Sequence, residues 1–160
     1  MITSSLRRPA FDMLDPRVKS LNYLNSVLAK AEAIRQGADE ALILNQAGRV
    51  TEASVANIFV VDHQGTITTP PTSEGALAGI TRETAMEIAA SLTLTIKEVP
   101  LTRLDLLAAN EVFLTGSGAG LVSVGTLDGQ LIGSPADRPV TDKISTAMNE
   151  RRMSLGTPFD

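Results

Sequence analysis

The stretch TEASVANIFVVD, residues 51 to 62, decides how this chain is read. Its second half runs through Ile58, Phe59, Val60 and Val61, a short apolar segment of β-branched and aromatic residues that predicts a buried strand. Its first half sets a single carboxylate, Glu52, among Ala53, Ser54, Val55 and Ala56. Either Glu52 is a solvated turn residue, or it faces a fixed positive partner, because an unpaired buried carboxylate takes up a proton instead.

Working outward, EALILN (40 to 45) and RVTEA (49 to 53) flank Gln46-Ala47-Gly48, and NIFVVD (57 to 62) and TITTP (66 to 70) flank His63-Gln64-Gly65. Both spacings predict hairpins, and four strands in succession predict an antiparallel meander. Upstream, Leu24, Val27, Leu28, Ala31 and Ile34 recur at helical spacing and Gly37 follows as a stop, which predicts a helix with an apolar stripe. Residues 1 to 18 are polar and broken by Pro9 and Pro16, and read as an extended lead-in. Downstream, the pattern predicts a helix over 82 to 92, an edge strand over 93 to 100, a short helix over 103 to 110 and a buried strand over 111 to 117. A hairpin over 121 to 133 turns on Asp128-Gly129, and Val140, Ile144, Ala147 and Met148 mark a last helix that frays at Pro158. The fold class is α+β, mostly antiparallel strands with packed helices and local connections.

Composition narrows the function. A length of 160 residues suits one domain with a real core, and 43% hydrophobic against 20% charged residues predicts a soluble folded chain. With 14 basic and 18 acidic residues, a net charge of -4 and no basic run, nucleic acid is an unfavourable partner. Cysteine is absent and His63 is the single histidine, which argues against disulfides and a histidine-rich metal site. No apolar run approaches the ~18 residues that predict a membrane span. The start, MITSSLRRPAFDM, has no apolar core of a secretory signal, so the expected location is cytoplasmic.

Two glycine-bearing segments can bind anions. ALAGITRET (76 to 84) leads Gly79, Ile80 and Thr81 into a helix start, where free amides and the helix dipole favour negative charge. The same pattern serves simple capping. GSGAG (116 to 120) is either a second cradle or a flexible strand-to-strand turn. Of the lysines, Lys30 and Lys143 fall off the apolar stripes of their helices and Lys97 sits in an alternating polar row. Lys19 lies where the lead-in meets the first helix, as a surface charge or as a side chain held at fixed geometry.

Four blocks in order, KSLNYL (19 to 24), TEASVANIF (51 to 59), TTPP with LAGITR (68 to 71 and 77 to 82) and VFLTGSGAG (112 to 120), resemble the class IV aminotransferases. That family holds pyridoxal 5'-phosphate in fold type IV, and includes branched-chain and D-amino acid aminotransferases and aminodeoxychorismate lyase. The resemblance implies a cofactor-binding domain over 19 to 155 behind the lead-in 1 to 18, with the family's small N-terminal domain absent, an open site and a homodimer. It implies that Lys19 links to the cofactor and moves the substrate's α-proton, that Tyr23 lies near the phenolic oxygen, and that Glu52 pairs with the pyridine nitrogen. Leu77 then lies under the ring, Gly79, Ile80 and Thr81 hold the phosphate, and Ser117 and Gly118 form a second strip near phosphate and substrate carboxylate. The implied activity is amino transfer between an amino acid and a 2-oxo acid. The alternatives are a lyase on the same cofactor and an inactive remnant.

Overall fold

Strands that alternate between two cores organise the chain, and a computed structural model describes residues 1–134 and 136–155. One sheet has the order β1 (Ile2–Arg7), β2 (Ala41–Leu44), β3 (Val50–Ala53). The other runs β6 (Ile96–Glu98), β5 (Ile67–Thr69), β4 (Asn57–Val61), β7 (Glu111–Gly116), β8 (Gly120–Ser123). Along β4, Ile58 and Val60 point into a core shared with Leu42, Leu44 and Val50 of the first sheet. Phe59 and Val61 point the other way, against Ala85, Ile88 and Ala89 of α2 (Ile80–Ser91) and Ile144 and Met148 of α4 (Pro139–Leu155). Burial on both faces explains why the run at 58 to 61 is apolar throughout instead of alternating. Phe59 and Phe113, register partners on β4 and β7, stack at 4.9 Å.

The first sheet is covered on its outer face by α1 (Leu24–Arg35), which packs Ala29 and Ala33 on Ala41 and Ile43. The layers are therefore helix, sheet, sheet, helices. A short helix α3 (Arg103–Leu107) adds Leu106 to the central core. Glu111, fully buried at the start of β7, accepts the Val140 and Thr141 amides (3.1 and 2.7 Å), so its charge meets the positive end of α4. No helix among the described residues is long and apolar enough to cross a membrane.

Several expectations need correction. The four strands do not form one meander: β2 and β3 pair in one sheet, β4 and β5 in the other, and residues 54 to 56 carry the chain across. The split lets the first sheet cover one face of β4 while α2 and α4 cover the other. The expected lead-in is partly strand, since β1 pairs parallel to β2 and belongs to the first sheet. The stripe read on α1 faces outward: Leu24, Val27, Leu28 and Ile34 are exposed while Ser26, Ala29 and Ala33 are buried. Small residues let the helix backbone approach β2 closely, and the bulkier apolar ones are left outside. Residues 121 to 123 pair with β7 as β8, so the later hairpin is only β9 (Thr126–Leu127) and β10 (Gln130–Leu131). The fray expected at Pro158 lies outside the described residues.

That hairpin turns on Asp128 and Gly129, both at positive φ (52° and 77°), as the sequence predicts. The Asp128 carboxylate accepts the Thr3 amide at 2.5 Å and hydroxyl at 2.7 Å, and Arg103 Nε at 2.5 Å, joining β1, α3 and the turn. Burial pushes its carboxyl up, but the two Thr3 bonds and Arg103 outweigh that and hold it below its ordinary 3.8. A depressed value makes the clasp's contribution present above the unfolded-state value and lost as pH falls through the folded one. Asp128→Asn tolerates the same backbone, and is expected to cost about 1–2 kcal/mol at neutral pH, with the deficit shrinking in acid. Urea unfolding of both proteins across pH checks this; a deficit independent of pH would contradict it.

Candidate functional site

The residues of the opening stretch meet the chain's N-terminal part in one hollow. After β1 the chain passes through tight turns, with Val18 donating to the Asp15 carbonyl at 3.1 Å and Ser20 to Val18 at 2.8 Å. Lys19 sits in this irregular segment, exposed, five residues before α1 begins. Tyr23 occupies the helix's N-cap position and is 40% exposed. Both line a cavity of about 330 Å³ whose wall also contains Glu52, Leu77, Gly79, Thr81 and Ser117.

Glu52 projects from β3 into this wall and is buried. Its Oε1 accepts Arg8 Nη2 at 2.6 Å, and its Oε2 accepts Asn57 Nδ2 and the Leu77 amide, each at 3.0 Å. Arg8 Nη1 donates in turn to Ser26 Oγ on α1 at 3.1 Å. The positive partner demanded by the sequence is thus, in part, Arg8. It lies behind the carboxylate, lining a smaller hollow of about 50 Å³ that Glu52 and Lys19 share but not the main cavity. Burial raises the Glu52 carboxyl above its ordinary 4.5; Arg8, the Leu77 amide and Lys19 pull it back only in part. A further cation beside Glu52 would complete its charge compensation.

At the other end of the cavity α2 begins without a side-chain cap. Gly79 is its N-cap residue, and Glu83 makes the first backbone bond, to Gly79 O at 3.0 Å. The amides of Ile80, Thr81 and Arg82 therefore have no partner inside the helix. The Gly79 backbone is ordinary, so its role is room: a Cβ there would stand 2.2 Å from Asn57 Oδ1. Asn57 is itself fixed, donating to Glu52 and to the Leu77 carbonyl (2.8 Å). Arg82 anchors the first turn from below through Glu98 (2.7 Å) and the Pro70 carbonyl (3.2 Å). Thr81 and Ser117 hydroxyls approach to 3.4 Å, a loose contact that leaves both free to bind a ligand.

Eight of the nine residues singled out from sequence, Lys19, Tyr23, Glu52, Leu77, Gly79, Ile80, Thr81 and Ser117, line this one cavity. Gly118 does not: it lines a neighbouring hollow of about 420 Å³ that shares Val55, Ala56, Gly116 and Ser117 with the cavity. The segment GSGAG is that hairpin's turn, and only Gly116 and Ser117 reach the cavity. Sequence reasoning missed Arg8 and Asn57. The signal for Arg8 was the question itself, since a carboxylate among small apolar residues calls for a cation and SLRRP offered two.

Comparison with known proteins follows the same geometry. A family model described as amino-transferase class IV matches residues 1–127. A putative branched-chain-amino-acid aminotransferase of Methanocaldococcus jannaschii is 42% identical over 155 residues, 97% of this chain and 54% of that protein. Among solved structures, the branched-chain aminotransferase of Thermoproteus uzoniensis with norvaline aligns with a TM-score of 0.88 and 39% identity, over 97% of this chain and 51% of that one. The holo, PLP-form branched-chain amino acid aminotransferase of Thermobaculum terrenum aligns with a TM-score of 0.91 and 33% identity, over 97% and 51%. The chain spans about half the length of these relatives.

The raised carboxyl gives a test. A folded-state value above the unfolded one means that Glu52 favours the fold below about 4.5 and that this contribution is lost as pH rises through the raised value. The unfolding free energy of the wild type should therefore fall relative to Glu52→Gln as pH rises above the ordinary 4.5. Denaturant titrations below and above that value measure it, and parallel pH profiles would refute the assignment.

Proposed function

This chain belongs to the class IV aminotransferase family, and from that membership we propose that its cavity holds pyridoxal 5'-phosphate for amino transfer between a branched-chain amino acid and a 2-oxo acid. The carrying observation is that Lys19 and Glu52 line one cavity whose far end is an uncapped helix start. The residues fit the group. A buried carboxylate with incomplete charge compensation suits a protonated ring nitrogen, free amides beside Gly79 suit a phosphate, and about 330 Å³ is the size of a small-molecule pocket.

Bound there, the cofactor supplies an aldehyde that takes up the substrate's amino group and a ring that accepts electron density as the α-proton leaves. The chain's own residues supply the rest. Glu52, steadied by Arg8 and Asn57, keeps a proton on the ring nitrogen. Lys19 carries the proton between the substrate α-carbon and the cofactor carbon. Tyr23 donates toward the phenolic oxygen, Leu77 gives the ring an apolar bed, and Ile80, Thr81 and Ser117 hold the phosphate. Gly118 continues the strip beyond Ser117 toward the substrate carboxylate, from a neighbouring hollow that shares Gly116 and Ser117 with this one.

The names of the relatives favour the branched-chain substrate over the D-amino acid and lyase readings. The exposed apolar face of α1, with Leu24, Val27, Leu28 and Ile34, supports assembly as a homodimer.

Addition of the cofactor to the wild type is expected to give a yellow protein with the label fixed by borohydride on Lys19 alone among the lysines. Lys19→Ala should lose the colour and at least about 10³-fold of leucine–2-oxoglutarate transamination, the scale of a lost general base with its covalent role. Equal colour and labelling in both proteins would refute the site. Labelling at Lys19 without turnover would favour a cofactor-binding remnant.

A further inference from the structure

The Thr81–Ser117 seam has a second side. α4 packs along α2, with Arg151 paired to Glu87 at 2.7 Å, and its last turn ends beside the β7–β8 turn. A cavity of about 470 Å³ opens there, lined by Thr81, Thr84, Ser117, Gly120, Arg151 and Arg152. It shares Ile80, Thr81, Gly116 and Ser117 with the cavity of Lys19 and Glu52, so the two hollows meet along the seam.

The charges around this seam are uneven. Arg151 is occupied by Glu87, whereas Arg152 has no carboxylate within ion-pair distance among the described residues. The Arg152 guanidinium lies over Gly120: its Nη1 is 3.5 Å from where a Cβ would stand, and the φ of +69° at that residue disfavours any side chain. The Thr81 and Ser117 hydroxyls line the same hollow as this exposed guanidinium, Thr84 donates its own hydroxyl to Ile80 O at 3.0 Å, and the amides of the α2 start lie at the edge. Neutral donors and one uncommitted cation around a single hollow select a compact anion with several acceptor oxygens.

We propose that Arg152 is an anion-positioning residue, holding a phosphate-type dianion at the Thr81–Ser117 seam from the side opposite Lys19. The identity of that dianion as the cofactor's phosphate rests on the function proposed above. A basic residue in a helix's last turn also offsets the helix dipole. That role asks nothing of a ligand, which is what separates the two.

Binding of pyridoxal 5'-phosphate and of pyridoxal, which lacks the phosphate, is compared by absorbance titration in the wild type, Arg152→Gln and Arg152→Lys. Arg152→Gln should weaken the phosphorylated compound roughly fivefold, the size of a partly exposed charge contact, leave pyridoxal unchanged, and be largely rescued by Arg152→Lys. Unchanged affinity for the phosphorylated compound in Arg152→Gln, or equal losses for both compounds, would overturn the proposal. If the wild type takes up neither compound at Lys19, the functional reading fails, and inorganic phosphate titrated by ³¹P NMR decides the anion site by itself. Weaker phosphate binding in Arg152→Gln then supports it, and identical or absent binding ends it.

Discussion

A buried ion pair between Arg8 and Glu52 is the constraint on which the rest of this site depends. Both side chains are nearly excluded from solvent, at 8% and 11% exposure, and meet at 2.6 Å. From this pair and its hydrogen bonds hang the end of β1, the first turn of α1 through Ser26, the start of β4 through Asn57, and the loop before α2 through Leu77. Removing one member of such a pair costs about 3–5 kcal/mol, yet apolar residues of the same volume would serve stability as well. What an apolar pair cannot provide is a fixed carboxylate in the wall of a cavity. The geometry therefore favours a role in the site over a role in the fold alone.

The layers explain where the cavity forms. The central strands β2, β3, β4 and β7 are buried on both faces, so the backbone next to them opens to a ligand only where the chain leaves a sheet. Four such places converge: the segment after β1 that carries Lys19 and Tyr23, the crossing at 54 to 56 between β3 and β4, the loop leading to α2, and the β7–β8 turn. Ser54 is held in the second by Glu40, which accepts its hydroxyl, and by the Ala41 carbonyl, which accepts its amide at 3.0 Å. Glu40 is tied in turn to Lys30 of α1 at 2.9 Å. The crossing at 54 to 56 is thus anchored through Glu40 to α1.

Much of this was legible in the sequence, and the failures have a common physical origin. The runs at 57 to 62 and 111 to 117 announced themselves as strands because β-branched and aromatic residues cluster there, the run at 40 to 45 did so as a short apolar segment before a turn, and the Asp128-Gly129 turn followed from the positive φ that it requires. The stripe on α1 misled because periodicity reports which residues share a face, not which face is covered; two alanines set the packing and four larger apolar residues lie outside. The strand β1 was hidden by its polar residues, since Ser4 is buried through a bond to Glu32 at 2.6 Å and not by an apolar side chain. The split into two sheets is a tertiary choice that hairpin spacing cannot reveal. Of the residues singled out in contiguous motifs, all but Gly118 line the cavity, whereas Asn57 was missed inside its motif because nothing local marks its bond to Glu52, and Arg8 because its partner lies 44 positions away.

The central claim is that Glu52 and Lys19 serve opposite ends of one flat cationic ring. ¹⁵N NMR of pyridoxal 5'-phosphate labelled at the ring nitrogen tests it most directly. A protonated ring nitrogen is expected in the wild type at neutral pH, and a largely deprotonated one in Glu52→Gln with the label still attached to Lys19. The same nitrogen shift in both proteins would mean that Glu52 does not touch the ring, and would contradict its pairing with the ring nitrogen.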